Sequence, residues 1–371
     1  MEMRLSTTGF KMIKNKFLLI PFLILLLAYT IDKLLLLENI QTYFTKTMSE
    51  VNYFHKPELF EELKIYLQQN NRKKVLVYFG NSRALLFNNA YIEKKYPDWI
   101  LFNFSVPGGT PDYFLFWLEK FEKENVRPDF ILLDNSIEAF NLKAFIKIDE
   151  VLVNGLDFNF IIRHNARYSK KEITNFIAKR TFRTYQYRPK FTTVLERIKN
   201  DFLILNMYRS WRKKTKERLT LERGSASSEF ASGVTSKEEV VKKYAEGDYH
   251  SYLTPYEFNF DMLKFQKDCF EILSRMKIPH SGIWVRIAPP YLELIKNRQV
   301  ARKEKEVSTV YEIWYPKLKK IHTDTNTEFW NMNEDPSYKC NDFSDASHMS
   351  PSCFPDYTDF IFRNIFSQTR K

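Results

Sequence analysis

The chain has 371 residues, of which 44% are hydrophobic and 16% aromatic, and a formal net charge of +12. That composition excludes a wholly disordered chain, which is poor in aromatics, and it allows one large core or a core plus a smaller lobe. The charge favours anionic partners: nucleic acid, lipid headgroups or acidic polymers, with plain lysine bias as the alternative.

Arg4, Lys11, Lys14 and Lys16 make residues 1–16 a basic tail, and Phe17 to Ile31 is an uncharged apolar run that Leu34 to Leu37 extends. As a helix, residues 17–37 reach about 30 Å, one hydrocarbon core. Asp32 and Lys33 fall towards the far end, where snorkelling returns them to water. The run predicts a single-pass anchor in the inner (cytoplasmic) membrane, with a cytoplasmic tail and a periplasmic or extracytoplasmic body. A cleaved signal peptide competes, although Ala28-Tyr-Thr30 is a poor small-x-small site. Membrane lipid is then the first expected partner. Export argues against nucleic acid, for which no basic–aromatic module stands out.

Residues 38–72, rich in charge and aromatics, read as a membrane-proximal helical stalk. Alternating strands and helices follow. Val75–Phe79 is a continuous apolar strand, Trp99–Ser105 a second, and Phe130–Leu133 a third, introduced by Pro128-Asp129. Between the last two, Thr110 or Asp112 caps a helix with Tyr113, Phe116, Trp117 and Phe121 on its apolar stripe. Residues from about 141 to 250 break the alternation; they are rich in Lys and Arg and read as a helical insertion with a small-residue loop from Arg223 to Ser236. The pattern resumes with a helix near Tyr256–Met276, a strand Gly282–Ala288 ending in the turn Pro289-Pro290, a helix around Lys303–His322, a strand Glu328–Met332 and a helix from Phe354. Alternation of this kind predicts an α/β fold with a mostly parallel sheet between two helix layers, and ligands beyond the carboxyl ends of the strands.

Several chemistry-bearing residues follow predicted strands: Gly80-Asn-Ser-Arg83, Pro107-Gly-Gly109, Asp134-Asn-Ser136, and Asp345 with His348. A carboxylate three residues before a histidine can orient its imidazole, and a serine at a strand end can present its hydroxyl to that base. Taken singly, Ser82 reads as a capping turn serine and His348 as a structural histidine. Three cysteines allow at most one bridge, Cys340 to Cys353, with Cys269 left over. Cys340, Asp342, His348 and Cys353 match no standard zinc spacing, so neither a metal nor a cofactor is expected.

These blocks resemble the SGNH (GDSL-like) hydrolase superfamily. Gly80-Asn-Ser82 is similar to its serine turn, Asn103-Phe-Ser-Val-Pro-Gly108 to its Asn-x-x-x-x-Gly block, and Asp345-Ala-Ser-His348 to its terminal Asp-x-x-His. The resemblance covers residues 75–140 and 280–365, is strongest to membrane-anchored exported members (the alginate O-acetylation proteins, the teichoic-acid D-alanylation protein and a spirochaetal family), and leaves out the insertion. It implies a flavodoxin-like three-layer sandwich over residues 73–371 and a Ser-His-Asp triad in which Ser82 is the nucleophile, His348 the base and Asp345 its orienter. The activity implied is that of an acyltransferase or esterase on cell-envelope glycan or lipid acyl groups, with a membrane acyl-donor protein as a further partner. Gly108 or Gly109, with the Ser82 N–H, would form an oxyanion hole in which one donor is typically worth about 3–4 kcal/mol; either glycine also reads as part of an ordinary turn.

The third-strand block departs from the pattern, because Glu138 stands where an Asn donor is expected and an ionised carboxylate cannot donate. Asn135 would donate from a shifted register, or Glu138 is protonated or serves another role, or the protein is a non-catalytic envelope binding or assembly module. Arg83 and Arg286 would hold an anionic substrate group, or else pair structurally with Asp134 or Glu138.

Overall fold

The apolar runs become strands because each is flanked by residues that stop it. The computed structural model describes residues 19–44, 49–143, 150–200, 202–226, 235–301 and 307–368. Its strands are β1 (Lys74–Phe79), β2 (Trp99–Asn103), β3 (Phe130–Asp134), β4 (His280–Trp284), β5 (Gln299–Ala301), β6 (Val307–Thr309) and β7 (Glu328–Asn331). Five of them form a parallel sheet in the order β2-β1-β3-β4-β7. The order reverses between β1 and β3, so the crevice expected to take a ligand opens beyond Phe79 and Asp134.

Both faces of the sheet are covered, and the two-residue alternation divides the side chains between them. Leu76, Tyr78, Leu101, Phe130, Leu132, Ile283 and Trp330 join one apolar cluster with Tyr357, Phe360 and Ile361 of the helix Phe354–Gln368. On the other face Phe79 meets Phe114 and Phe121 of the helix Pro111–Lys123, and Trp284 meets Trp314 of the helix Val310–Asp324. The helix Phe260–Arg275 packs against Pro111–Lys123. The fold is a three-layer α/β/α sandwich.

Three expectations need correcting. The strand placed at Gly282–Ala288 ends at Trp284, and Pro289-Pro290 begins the helix Pro289–Asn297, since proline at the first helical positions needs no N–H partner. The helix placed at Lys303–His322 starts at Val310, where Thr309 and Glu312 form a capping box; β5 and β6 make an antiparallel hairpin before it, and residues 302–306 lie outside the described residues. The supposed stalk is in large part body: the helix Ser49–Leu67 buries Leu59, Phe60 and Leu63, and Phe60 stacks on Phe121.

Lys56 of that helix is wholly enclosed. Its ammonium donates to the carbonyls of Asn103 (2.7 Å) and Gly224 (3.0 Å), and burial pushes it down to about 7. Asn103 ends the edge strand β2, and its N–H donates to the Arg223 carbonyl at 2.9 Å. Gly224, at φ +90°, allows that approach, because a Cβ there would lie 2.2 Å from the Asn103 oxygen.

The chain divides into two compact units: the described residues up to Phe44 with Ser169–Ser210, and the sandwich with the rest of the insertion. In the first unit the apolar run forms the 16-residue helix Leu19–Leu34. No helix among the described residues is long and apolar enough to cross a membrane. Phe17 and Leu18 lie outside the described residues, as does the basic tail. Asp32 does not snorkel: its carboxylate is buried and accepts the backbone N–H groups of Arg183 and Thr184, both at 2.7 Å.

Candidate active site

Strand β1 delivers the nucleophile turn. The Asn81 side chain accepts the Arg83 N–H at 3.0 Å and caps the single 3₁₀ turn Ser82–Ala84. The neighbouring Val106–Gly109 turn closes against it, with the Val106 N–H donating to the Gly80 carbonyl at 3.1 Å. Only glycine fits at position 109, where a Cβ would stand 2.2 Å from the Gly80 oxygen. Ser82 is thereby set at the start of a short, closely held turn at the carboxyl edge.

The loop after β7 brings the other two residues. The Cys340–Cys353 disulfide closes its base, and Phe343 bridges to Met349. The Asp345 carboxylate accepts the backbone N–H groups of Ser347 and His348, each at 2.8 Å, which fixes it before it touches a side chain. It then lies 2.8 Å from His348 Nδ1, and His348 Nε2 lies 2.7 Å from Ser82 Oγ. A carboxylate at Nδ1 makes that nitrogen the donor, which leaves Nε2 to accept from the serine. With 28% of its side chain exposed, the imidazole is open to an incoming substrate.

The sequence model of the family described as "Protein of unknown function (DUF1574)" matches residues 12–365. The chain belongs to this family. The match runs through the apolar segment and the insertion as well as the sandwich. No curated protein matches the chain.

In this family member the charges around Ser82 are almost all answered. Arg83 points away from solvent: its Nε donates to the Ser347 carbonyl (2.9 Å), Nη1 to Ser136 Oγ (2.7 Å) and to Glu138 (3.0 Å), and Nη2 to Glu138 (2.6 Å). The Tyr291 hydroxyl also donates to Glu138, at 2.9 Å. Burial disfavours both charges of the pair, but each holds the other, so Glu138 stays below the usual carboxylate range and Arg83 above its own. Burial pushes Asp134 up to about 6 against the pull of the Arg83 charge. At His348 burial opposes the charged ring, yet the Asp345 charge and hydrogen bond prevail and raise it; Asp345 is correspondingly lowered against its own burial.

Of the residues singled out from sequence, Ser82, His348 and Asp345 come together. So do Arg83 and Glu138, as partners of one another rather than as groups facing a ligand. The Gly109 N–H is engaged with the Val106 carbonyl at 3.0 Å, whereas among the described residues neither the Ser82 N–H nor the Gly108 N–H has a partner. Asn135 is not at the site: its amide lies 3.3 Å from His322 Nε2 and directly under Gly282, on the opposite face of the sheet. Arg286 lies beyond β4 and donates to the Asn333 carbonyl (3.1 Å) and to Asn341 Oδ1 (2.8 Å). Cys340 and Cys353, being bridged, offer no thiolate to a metal.

Sequence reasoning missed Ser136, Ser347, Tyr291 and Asp248. Ser347 joins three elements: its N–H reaches Asp345, its carbonyl Arg83, and its hydroxyl donates to Asp248 of the helix Glu238–Leu253 at 2.7 Å. Its place inside Asp345-Ala-Ser-His348 was the one available signal. Nothing local marks Asp248, which lies about a hundred residues away in the chain.

Proposed function

We propose that this chain is an SGNH-type serine acyltransferase or esterase, anchored in the cytoplasmic membrane with its body outside, acting on acyl groups of cell-envelope glycans or lipids. The observation that carries the reading is the unbroken line from Ser82 Oγ through His348 to Asp345, at 2.7 and 2.8 Å. In the first step Ser82 Oγ attacks the acyl carbonyl while His348 Nε2 takes its proton. The free N–H groups of Ser82 and Gly108 would face the developing oxyanion. Collapse of the tetrahedral intermediate expels the donor alkoxide, which takes its proton from His348, and leaves the acyl group on Ser82. In the second step an acceptor hydroxyl attacks the acyl-enzyme, with His348 again as base; water in that place gives hydrolysis. Asp345 keeps the imidazole in the working tautomer and stabilises the imidazolium.

Labelling with a serine-directed fluorophosphonate tests this. Wild type should react and Ser82→Ala should not. The labelling rate should climb with pH through a midpoint above the ordinary histidine value of about 6.5, because the Asp345 charge raises His348. Asp345→Asn should move that midpoint down. Labelling that survives loss of His348 would remove the triad from the account.

A binding or assembly role is the second reading, favoured by Glu138. With the Glu138 carboxylate facing Arg83 and the Asn135 amide beside His322, neither of these two residues offers an amide donor to an oxyanion at Ser82. Wild type no more reactive than Ser82→Ala would decide for it.

A further inference from the structure

We propose that residues 169–210 form a cationic collar that docks on anionic lipid headgroups beside the apolar helix Leu19–Leu34, an inference that rests on reading that helix as the anchor. Ser169–Ser210 carries ten Lys and Arg residues against three Asp and Glu, a large share of the chain's +12. These residues group with the apolar helix rather than with the sandwich.

The collar is fastened where the apolar run ends. Asp32 caps the short helix Arg183–Tyr187, Lys33 donates to the Thr181 carbonyl, Gln41 donates to the Tyr187 hydroxyl at 3.0 Å, and Arg197 donates to the Thr42 carbonyl at 2.5 Å. Residues 181–187 are therefore held at the level where hydrocarbon would give way to headgroups. Apolar side chains there are uncovered. Phe191 is 74% exposed, and Phe182, Tyr185 and Ile198 are exposed as well. Phe191, Val194, Leu195 and Ile198 make an i, i+3, i+4, i+7 stripe on the helix Phe191–Asn200, with Arg188, Lys190 and Lys199 close by in sequence. Basic residues interleaved with exposed aromatic and aliphatic ones suit a helix lying in the interface of an anionic membrane, where rings sink to the acyl boundary and cations meet phosphates. The apolar helix of the same unit is uncovered as well, with Phe22 70% exposed, and that much exposed apolar surface favours a bilayer over a protein partner of limited area.

The test is a nitroxide placed in the full-length, reconstituted protein. Cys269 is buried and Cys340 is bridged to Cys353, so an introduced thiol takes the label. In vesicles with one-third phosphatidylglycerol in phosphatidylcholine, a Phe191→Cys label should be several-fold more open to oxygen than to a water-soluble nickel complex. A Glu239→Cys label, at an exposed position of the helix Glu238–Leu253 in the other unit, should show the reverse. In phosphatidylcholine alone the protection at position 191 should shrink. A position-191 label as open to nickel as the position-239 label overturns the collar, and so does protection indifferent to lipid charge. Protection that fades as the protein is diluted among vesicles would assign the face to a second copy instead. A Leu25→Cys label judges the anchor separately, since it can sit outside the bilayer while position 191 stays protected.

Discussion

At the carboxyl edge of the sheet Arg83 meets Glu138 at 2.6 Å with both side chains enclosed, whereas in Ser169–Ser210 ten basic residues face three acidic ones and Phe191 is 74% exposed. The two regions handle charge in opposite ways. Near Ser82 both basic groups have a carboxylate partner, and the surroundings are acidic on balance, with Asp134, Glu138, Asp248 and Asp345 against Arg83 and His348. The basic excess of the chain is concentrated elsewhere. The net charge of the whole chain therefore says nothing of what its site accepts.

The comparison can be broken at five positions. The largest effect should come from Ser82→Ala, with a loss of acylation on the order of 10⁴-fold or more and no change in stability, read by fluorophosphonate labelling. Glu138→Ala should come next. It strands a buried guanidinium, so urea denaturation should show a loss of about 3–5 kcal/mol. Lys190→Ala, at an exposed position of the other unit, should stay within about 0.5 kcal/mol. Equal losses at the two positions would erase the distinction drawn here.

Asp134 sharpens the contrast through pH. Its carboxyl stands at about 6 in the folded chain, above the ordinary value of about 3.9, so the folded state holds the proton more tightly than the unfolded state. The destabilisation it brings is absent below about pH 4, grows up to about pH 6 and is complete above that. Asp134→Asn should therefore stabilise the protein by roughly 3 kcal/mol at pH 7.5 and leave it unchanged at pH 4. The absence of any gain at pH 7.5 would show that Asp134 is ionised without penalty. The smallest effect belongs to Asn135→Ala, whose labelling rate should stay within about threefold of wild type, because its amide faces His322. A hundredfold loss would restore Asn135 as an oxyanion donor.

Much of the sandwich was legible, because buried parallel strands read as unbroken apolar runs and each of the five was located within a few residues. The Asp345–His348 spacing was legible for a related reason. Both residues belong to one short loop, so sequence distance limits spatial distance. Ser82 was placed by its position after a strand. For Asn135 the sequence does carry the signal: Phe130, Leu132 and Asp134 share one face, and two-residue alternation sends Asn135 to the other. The Arg83–Glu138 pair could be named only as one alternative, since the 3₁₀ turn Ile137–Phe140 decides where Glu138 points. The helix Ser49–Leu67 reads as a stalk in sequence because its polar residues suggest solvent. Lys56, enclosed yet satisfied by two carbonyls, shows how composition misleads when backbone groups supply the partners.

That lysine has a practical bearing on any attempt to reduce the protein to a minimal domain. Excising residues 141–250 as a removable module would leave β1 to β7 complete on paper. It would also delete Gly224 and the Arg223 carbonyl, taking from Lys56 one of its two acceptors and from Asn103 the partner of its N–H, at the margin of β2. A trimmed version would expose that margin to pairing with other chains. Residues 222–226 behave as a seam between insertion and sheet, and a shortened gene should be cut on either side of it, never through it.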